Sequence, residues 1–215
     1  VFSASTTNFP SEIANLTSVY MSSRFVDIDK DNDQDLILGA IDGGGIVKDL
    51  LLLNDGFGTF TNGSPLPNRY GSNTWGTVAV TVADFNNDTW PDLLMSTLYQ
   101  YQTCQIQLLI NNQNGTFMDV TANIPQNWGT ASNNWIKWIE TGDFNNDGKI
   151  DFACTTHFSS QPKLFFNTGN ANFIDASDIL TIPGGNNVAS MRARDFNNDG
   201  RTDIAILCGN KIKNK

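Results

Sequence analysis

Acidic and amide side chains recur at alternate positions in four nine-residue segments: DIDKDNDQD at 27–35, DFNNDTWPD at 84–92, DFNNDGKID at 143–151 and DFNNDGRTD at 195–203. Side-chain oxygens at positions 1, 3, 5 and 9, with a main-chain carbonyl at position 7, make a donor set for a hard divalent cation. Calcium accepts six to eight such oxygens in flexible geometry. The candidate ligands are Asp27, Asp29, Asp31, Asp33 and Asp35 in the first loop and Asp84, Asn86, Asp88, Trp90 and Asp92 in the second. They continue with Asp143, Asn145, Asp147, Lys149 and Asp151 in the third and Asp195, Asn197, Asp199, Arg201 and Asp203 in the fourth. Lys149, and Asp33, Trp90 and Arg201 at the same position, enter through their backbone carbonyls. The expected cofactor is Ca2+, up to four ions.

A single run of Asp, Asn and Gly is as simply read as a solvated turn. Four runs in phase, each closing on an Asp that opens an apolar segment, favour the metal. The chain carries 22 acidic and 13 basic residues, a net charge of −9 that four divalent ions would almost neutralise. Without metal the clustered carboxylates repel one another, so folding is expected to be calcium-linked. An EF-hand needs a Glu at position 12 and flanking helices, whereas here that position holds Leu38, Met95, Cys154 and Ile206. Gly148 and Gly200 sit where the loop must turn with positive φ, and Asn32 suits that place next best. The second loop has Thr89 there and Pro91 before its last ligand, which makes it the least regular of the four.

The elements that must hold these loops are strands. DLILGA, DLLMST, DFACTT and DIAILC follow the loops, and SSRFV, TVAVTVA, WIKWIETG and ASMRAR precede them. A second register follows: LLLLNDGFGTF, QLLINNQNGTF and KLFFNTGNANF each give an apolar strand, an Asn/Gly turn and an aromatic that opens another strand. One unit thus reads strand, metal loop, strand, loop, strand, hairpin turn, strand. Four short antiparallel strands recurring about every 40 to 60 residues predict an all-β fold, a β-propeller of four-stranded blades. The repeats are expected near 18–74, 75–132, 133–186 and 187–215, the last incomplete.

The D-F-N-N-D-G-x-x-D loop, the apolar strand after it and the L-L-x-N-x-x-G-x-F segment resemble the FG-GAP and VCBS repeat family, the calcium-loop propeller of integrin α subunits. The resemblance spans nearly the whole chain. LGAIDG near Leu38 keeps part of the Gly-Ala-Pro motif, whereas MSTL, CTTH and LCGN replace it elsewhere, which places the chain nearer the general VCBS group than integrins proper. The resemblance implies that an N-terminal strand can complete a last blade, and VFSASTTNFP at 1–10 is expected as the outer strand of a closing or preceding blade. It also implies rings with more blades than four, so the chain is expected to be part of a larger ring, with a compact four-bladed ring as the other reading.

A chain that is 40% hydrophobic and has no membrane-spanning stretch has material for a sizeable core. Weak calcium loops suit millimolar extracellular calcium, so a secreted or cell-surface location is expected. Sequons stand at Asn15, Asn62 and Asn114, and at Asn87 inside a metal loop, where use is doubtful. Cys154 and Cys208 lie in strands and read as buried apolar residues rather than ligands; with Cys104 they allow at most one internal disulfide. His157 has no nucleophile motif near it, and basic residues cluster only in the KIKNK tail, so neither an active site nor nucleic-acid binding is expected. Aromatic faces anchor sugars or protein partners. Trp75 and Tyr101 are the candidate ligand contacts, while Trp135 and Trp138 are expected to pack between blades. The expected function is a non-catalytic adhesion or recognition module that binds a protein or glycan through inter-blade loops, with other blades or an oligomeric partner completing it. The alternative is the propeller of a larger carbohydrate-active enzyme, or a calcium-dependent lectin.

Overall fold

A computed structural model describes residues 8–14, 19–41, 47–70, 75–99, 103–126, 136–156, 161–180, 182 and 187–209. His157, Trp128, Trp135, Tyr101, Asn15 and the KIKNK tail lie outside the described residues, as do the side chains of Tyr99 and Cys104. The fold is all-β and built of propeller blades. In the first blade β1 (Val19–Val26), β2 (Asp35–Ile41), β3 (Leu50–Asn54) and β4 (Phe60–Asn62) pair antiparallel in sequence order. The second blade repeats this with β5 (Gly76–Ala83), β6 (Asp92–Tyr99), β7 (Thr103–Asn111) and β8 (Phe117–Asp119). The third uses β9 (Ile136–Gly142), β10 (Asp151–Thr156), β11 (Lys163–Gly169) and β12 (Asn172–Asp175). The described part of the fourth is the pair β13 (Asn187–Arg194) and β14 (Asp203–Gly209).

Each aspartate loop joins the first two strands of a blade and each Asn/Gly turn joins the last two, as their composition predicts. One bridge, Ile41 to Gly76, links the first two blades into a continuous sheet. Gly76 permits it, because a Cβ there would stand 2.4 Å from the Ala40 carbonyl oxygen. The first strands β1, β5, β9 and β13 lie side by side. Each pairs with its neighbour through a register shift at the same place, leaving Met21, Val78, Lys137 and Ala189 as the extra residues. A bulge of this kind twists the strand and turns one side chain out of the ladder. Met21, Val78 and Lys137 accordingly line one cavity of about 440 Å³ between the inner strands.

The apolar cores lie between blades rather than within a sheet. Ile28, Ile37, Leu51, Val80, Leu93 and Leu109 fill the seam of blades one and two. Phe85, Leu94, Ile139, Phe152, Phe165 and Phe173 fill that of blades two and three. Phe152 stacks on Phe165 with ring centroids 4.6 Å apart and meets Phe173 edge-on at 5.0 Å. Cys154 is buried in the same seam, and Cys208 is partly buried. Of residues 1–10, the described Asn8 and Phe9 lie against the outer strand of the first blade: the Asn8 carbonyl accepts the Phe60 N–H at 2.7 Å, and Phe9 stacks on Phe60 at 5.0 Å.

Candidate metal loops and blade seams

The loop backbone takes up positive φ at two places. At position 6 stand Asn32, Thr89, Gly148 and Gly200 (φ 74° to 86°), and at position 4 stand Lys30, Asn87, Asn146 and Asn198 (φ 60° to 64°). Three of the four position-4 residues are Asn, the non-glycine residue that best tolerates this region. These two turns fold the chain so that the position-1 carboxylate reaches forward over the loop. Its Oδ2 accepts the position-6 N–H in every copy: Asp27 from Asn32, Asp84 from Thr89, Asp143 from Gly148 and Asp195 from Gly200, at 2.7 to 3.1 Å. The position-5 carboxylates of Asp31, Asp88, Asp147 and Asp199 likewise accept the N–H two residues on, at 2.8 to 3.1 Å.

The position-9 aspartate is placed differently. Asp35, Asp92 and Asp151 are fully buried. The Oδ2 of each accepts the N–H of position 2 (Ile28, Phe85 or Phe144) at 2.9 Å. The Oδ1 accepts the N–H of an Asn at or near the end of the third strand: Asn54 at 2.9 Å, Asn111 at 2.9 Å and Asn167 at 2.7 Å. Asp203 repeats the first bond with Phe196 at 3.1 Å. These carboxylates brace the loop against the blade. Burial pushes Asp92 up to about 6, against the pull of the Asn111 and Phe85 N–H groups and with the push of the Asp88 and Asp84 charges. Burial raises Asp35 and Asp151 in the same way.

Two of the third-strand asparagines, visible in the sequence as part of the turn, are seam fasteners. Asn111 donates from Nδ2 to the Pro91 carbonyl of its own loop at 3.2 Å and to the Ile28 carbonyl of the preceding loop at 2.9 Å. Asn167 repeats this with Ile150 at 3.1 Å and Phe85 at 2.8 Å. The first and second aspartate loops are thereby each bonded to the next blade. Lys30 adds a second tie between the first two loops, donating to Thr89 Oγ1 at 2.8 Å and lying 4.7 Å above the Trp90 ring.

The donor sets fit a cation to different degrees. Asp27, Asp29 and Asp35 offer oxygens that all lie within 4.8 Å of one another. Asp27 Oδ1, Asp29 Oδ1 and Asp33 Oδ1 are buried and have no hydrogen-bond partner. In the other loops the position-3 residue is Asn, and its Nδ2 donates to the position-5 carboxylate: Asn86 to Asp88 at 2.9 Å, Asn145 to Asp147 at 3.2 Å and Asn197 to Asp199 at 3.1 Å.

Two further groupings had no sequence signal. At the blade ends away from the metal loops, buried Asp49 binds Arg69 Nη2 at 2.8 Å, Thr77 Oγ1 at 2.7 Å and the Ala40 N–H at 2.8 Å, clasping the first blade to the second. Between the inner strands, the Lys137 ammonium lies 5.2 Å and the Arg192 guanidinium 5.3 Å from the Trp138 ring. Trp138 is partly buried there and lines the inner cavity instead of filling a seam. Trp75 is partly buried at the start of β5, its N–H bonded to Leu98, also at the end away from the metal loops. Asn62 and Asn114 are exposed.

The sequence matches the family model described as FG-GAP-like repeat over residues 27–95, 98–154 and 143–206. Comparison with curated proteins finds no match. Among solved structures the chain is similar to an Agrocybe aegerita lectin described as specifically recognising non-reducing terminal N-acetylglucosamine, with a TM-score of 0.54 and 17% identity. The match covers 85% of this chain and 45% of that one, so the chain spans less than half of the lectin's length, and at this identity the likeness is one of fold.

Proposed function

The chain belongs to the FG-GAP-like repeat family, and on that premise we propose that it is a non-catalytic recognition module: a calcium-stabilised propeller that binds a glycan or a protein through the loops between its blades. The observation that carries the calcium part is the first loop, where buried carboxylate oxygens of Asp27 and Asp29 lack any partner beside Asp35. An unmet buried acceptor costs the fold free energy, and a cation held by these oxygens removes that cost. The family's loops would take calcium through Asp, Asn and main-chain oxygens, and its chemistry here is to neutralise and cross-link them. Because the first two loops are bonded across the seams, ions there hold blades in place and need not touch a ligand. Recognition then falls to the other blade ends, where Trp75 stands and the Asp49–Arg69 pair fixes the backbone. The fold likeness to a lectin supports a glycan among the candidate ligands. Millimolar calcium outside the cell fits loops of this kind, so the module works at the cell surface or as a secreted protein.

Thermal melting in calcium and in chelator tests the first part. An ion bound at about 100 times its Kd would add about 2.7 kcal/mol, which would raise Tm by at least about 5 °C for a chain of this size. Equal melting in both conditions overturns the calcium reading. Incubation with immobilised N-acetylglucosamine-terminated glycans tests the second: retention that Trp75→Ala weakens is expected, whereas release of sugar from the support identifies an enzyme.

A further inference from the structure

The four loops share a backbone but not a way of satisfying it. In loops two, three and four the position-5 N–H donates both to the position-1 Oδ1 and to the position-3 amide oxygen. The six bonds, from Asp88, Asp147 and Asp199, measure 2.9 to 3.2 Å. The position-3 Asn then returns a bond from its Nδ2 to the position-5 carboxylate, so these loops are closed by their own hydrogen bonds. In the first loop position 3 is Asp29, which has no N–H to give. Asp27 Oδ1 and Asp29 Oδ1, the two atoms that receive the position-5 N–H elsewhere, are the ones left buried without partners, and Asp33 Oδ1 joins them. Five carboxylates within nine residues repel one another where the other loops have three carboxylates and an amide.

We propose that the first loop is the most calcium-dependent of the four: it binds the cation most tightly, and it loses its shape first when the cation is removed. The proposal rests on the calcium reading above and goes beyond it by making the sites unequal. Affinity in such loops rises with ligand charge, and the unliganded first loop lacks the position-3 to position-5 bond that closes the others.

The consequence reaches the fold through Ile28. That residue is 1% exposed and packs in the seam of blades one and two, and its carbonyl is the acceptor for Asn111. Lys30 of the same loop holds Thr89 and covers Trp90. Loosening the first loop therefore frees the first blade from the second, while the seam of blades two and three, fastened by Asn167 to Phe85, stays closed.

The test exchanges the one residue that differs in kind. Wild type, Asp29→Asn and the reverse exchange Asn86→Asp are melted in chelator and in calcium, and each is titrated with calcium by calorimetry. Wild type should show one tight site and a class at least about tenfold weaker. Asp29→Asn should melt higher than wild type in chelator, gain less from calcium and lose the tight site. Asn86→Asp should melt lower than wild type in chelator and gain a second tight site. Four equivalent wild-type sites, or an Asp29→Asn protein that melts no higher than wild type in chelator while wild type still responds to calcium, overturn the inference and leave the calcium reading standing. A wild type with no response to calcium overturns both.

Discussion

Asp147 and Asp151 stand four residues apart in one loop and are held in opposite ways. Asp147 is exposed, its carboxylate meeting Lys149 Nζ at 3.0 Å with both side chains about a third exposed, and such surface pairs contribute little. Asp147→Ala is therefore expected to lower Tm in calcium and leave it nearly unchanged in chelator. Asp151 is buried and accepts the N–H groups of Phe144 and Asn167. Its removal orphans two backbone donors at about 1–3 kcal/mol each, so Asp151→Ala should destabilise the protein in both conditions, measurable by urea unfolding. Similar losses for the two variants in chelator would show that position 9 is only a ligand. Thr89 is the other residue held against its preference, a β-branched side chain at φ 74° kept in place by Lys30. Nothing in the nine-residue motif alone tells these aspartates apart.

At the scale of the element, the unit of cohesion is the seam between successive blades. Phe85 belongs to the second loop and is buried in the seam of blades two and three, edge-on to Phe173 of the third at 6.0 Å. Asn167 reaches back to the carbonyl of that same Phe85. Asn167→Ala removes the Nδ2 bonds to Ile150 and across the seam to Phe85 and the Oδ1 bond from the Gly169 N–H, and should cost about 2–4 kcal/mol at roughly 1 kcal/mol per bond. Asn54 makes the in-blade bonds alone, Nδ2 to the Gln34 carbonyl and Oδ1 from the Gly58 N–H, so Asn54→Ala should cost about one bond, roughly 1 kcal/mol, less in the same urea titration. Equal costs would mean that the cross-seam bond contributes nothing. Gly76→Ala forces β5 off β2, because its Cβ would overlap the Ala40 carbonyl and Ile41. It should destabilise by about 1–3 kcal/mol or more.

For the whole molecule the deciding quantity is charge. A net charge of −9 is concentrated in loops where burial raises Asp29, Asp35, Asp92 and Asp151 above the ordinary carboxylate range, Asp92 to about 6. A carboxyl whose folded pKa lies above its unfolded value stabilises the fold when protonated. That contribution is fully present below about pH 4 and is lost as pH rises through about 6. Asp147 and Asp195 are shifted downward, by the Lys149 hydrogen bond and by the Gly200 N–H respectively, and titrate below this window. In chelator the protein is thus expected to melt higher at pH 5 than at pH 7. Saturating calcium should abolish or reverse the difference, since protons then compete with the ion. A chelated protein with the same Tm at both pH values would mean that these carboxylates are solvated in the metal-free state.

The sequence determined what is local. Alternating Asp and Asn, Gly or Asn at the turning positions, and short apolar runs between Asn/Gly turns place the blade strands and the turns that join them, because each depends on residues within a few positions of one another. The all-β propeller class followed from their repetition. What the tertiary structure decided are relations between repeats. Asn111 meets Ile28 across 83 residues and Asn167 meets Phe85 across 82. The bulges that turn Met21, Val78 and Lys137 to one cavity have no composition in common, and Asp49 and Arg69 form a buried pair from two unremarkable connecting segments. The inequality of the loops lies between these levels. Asp29 in place of Asn is plain in the sequence, but its meaning depends on which oxygens the fold buries and which backbone N–H groups it supplies to them.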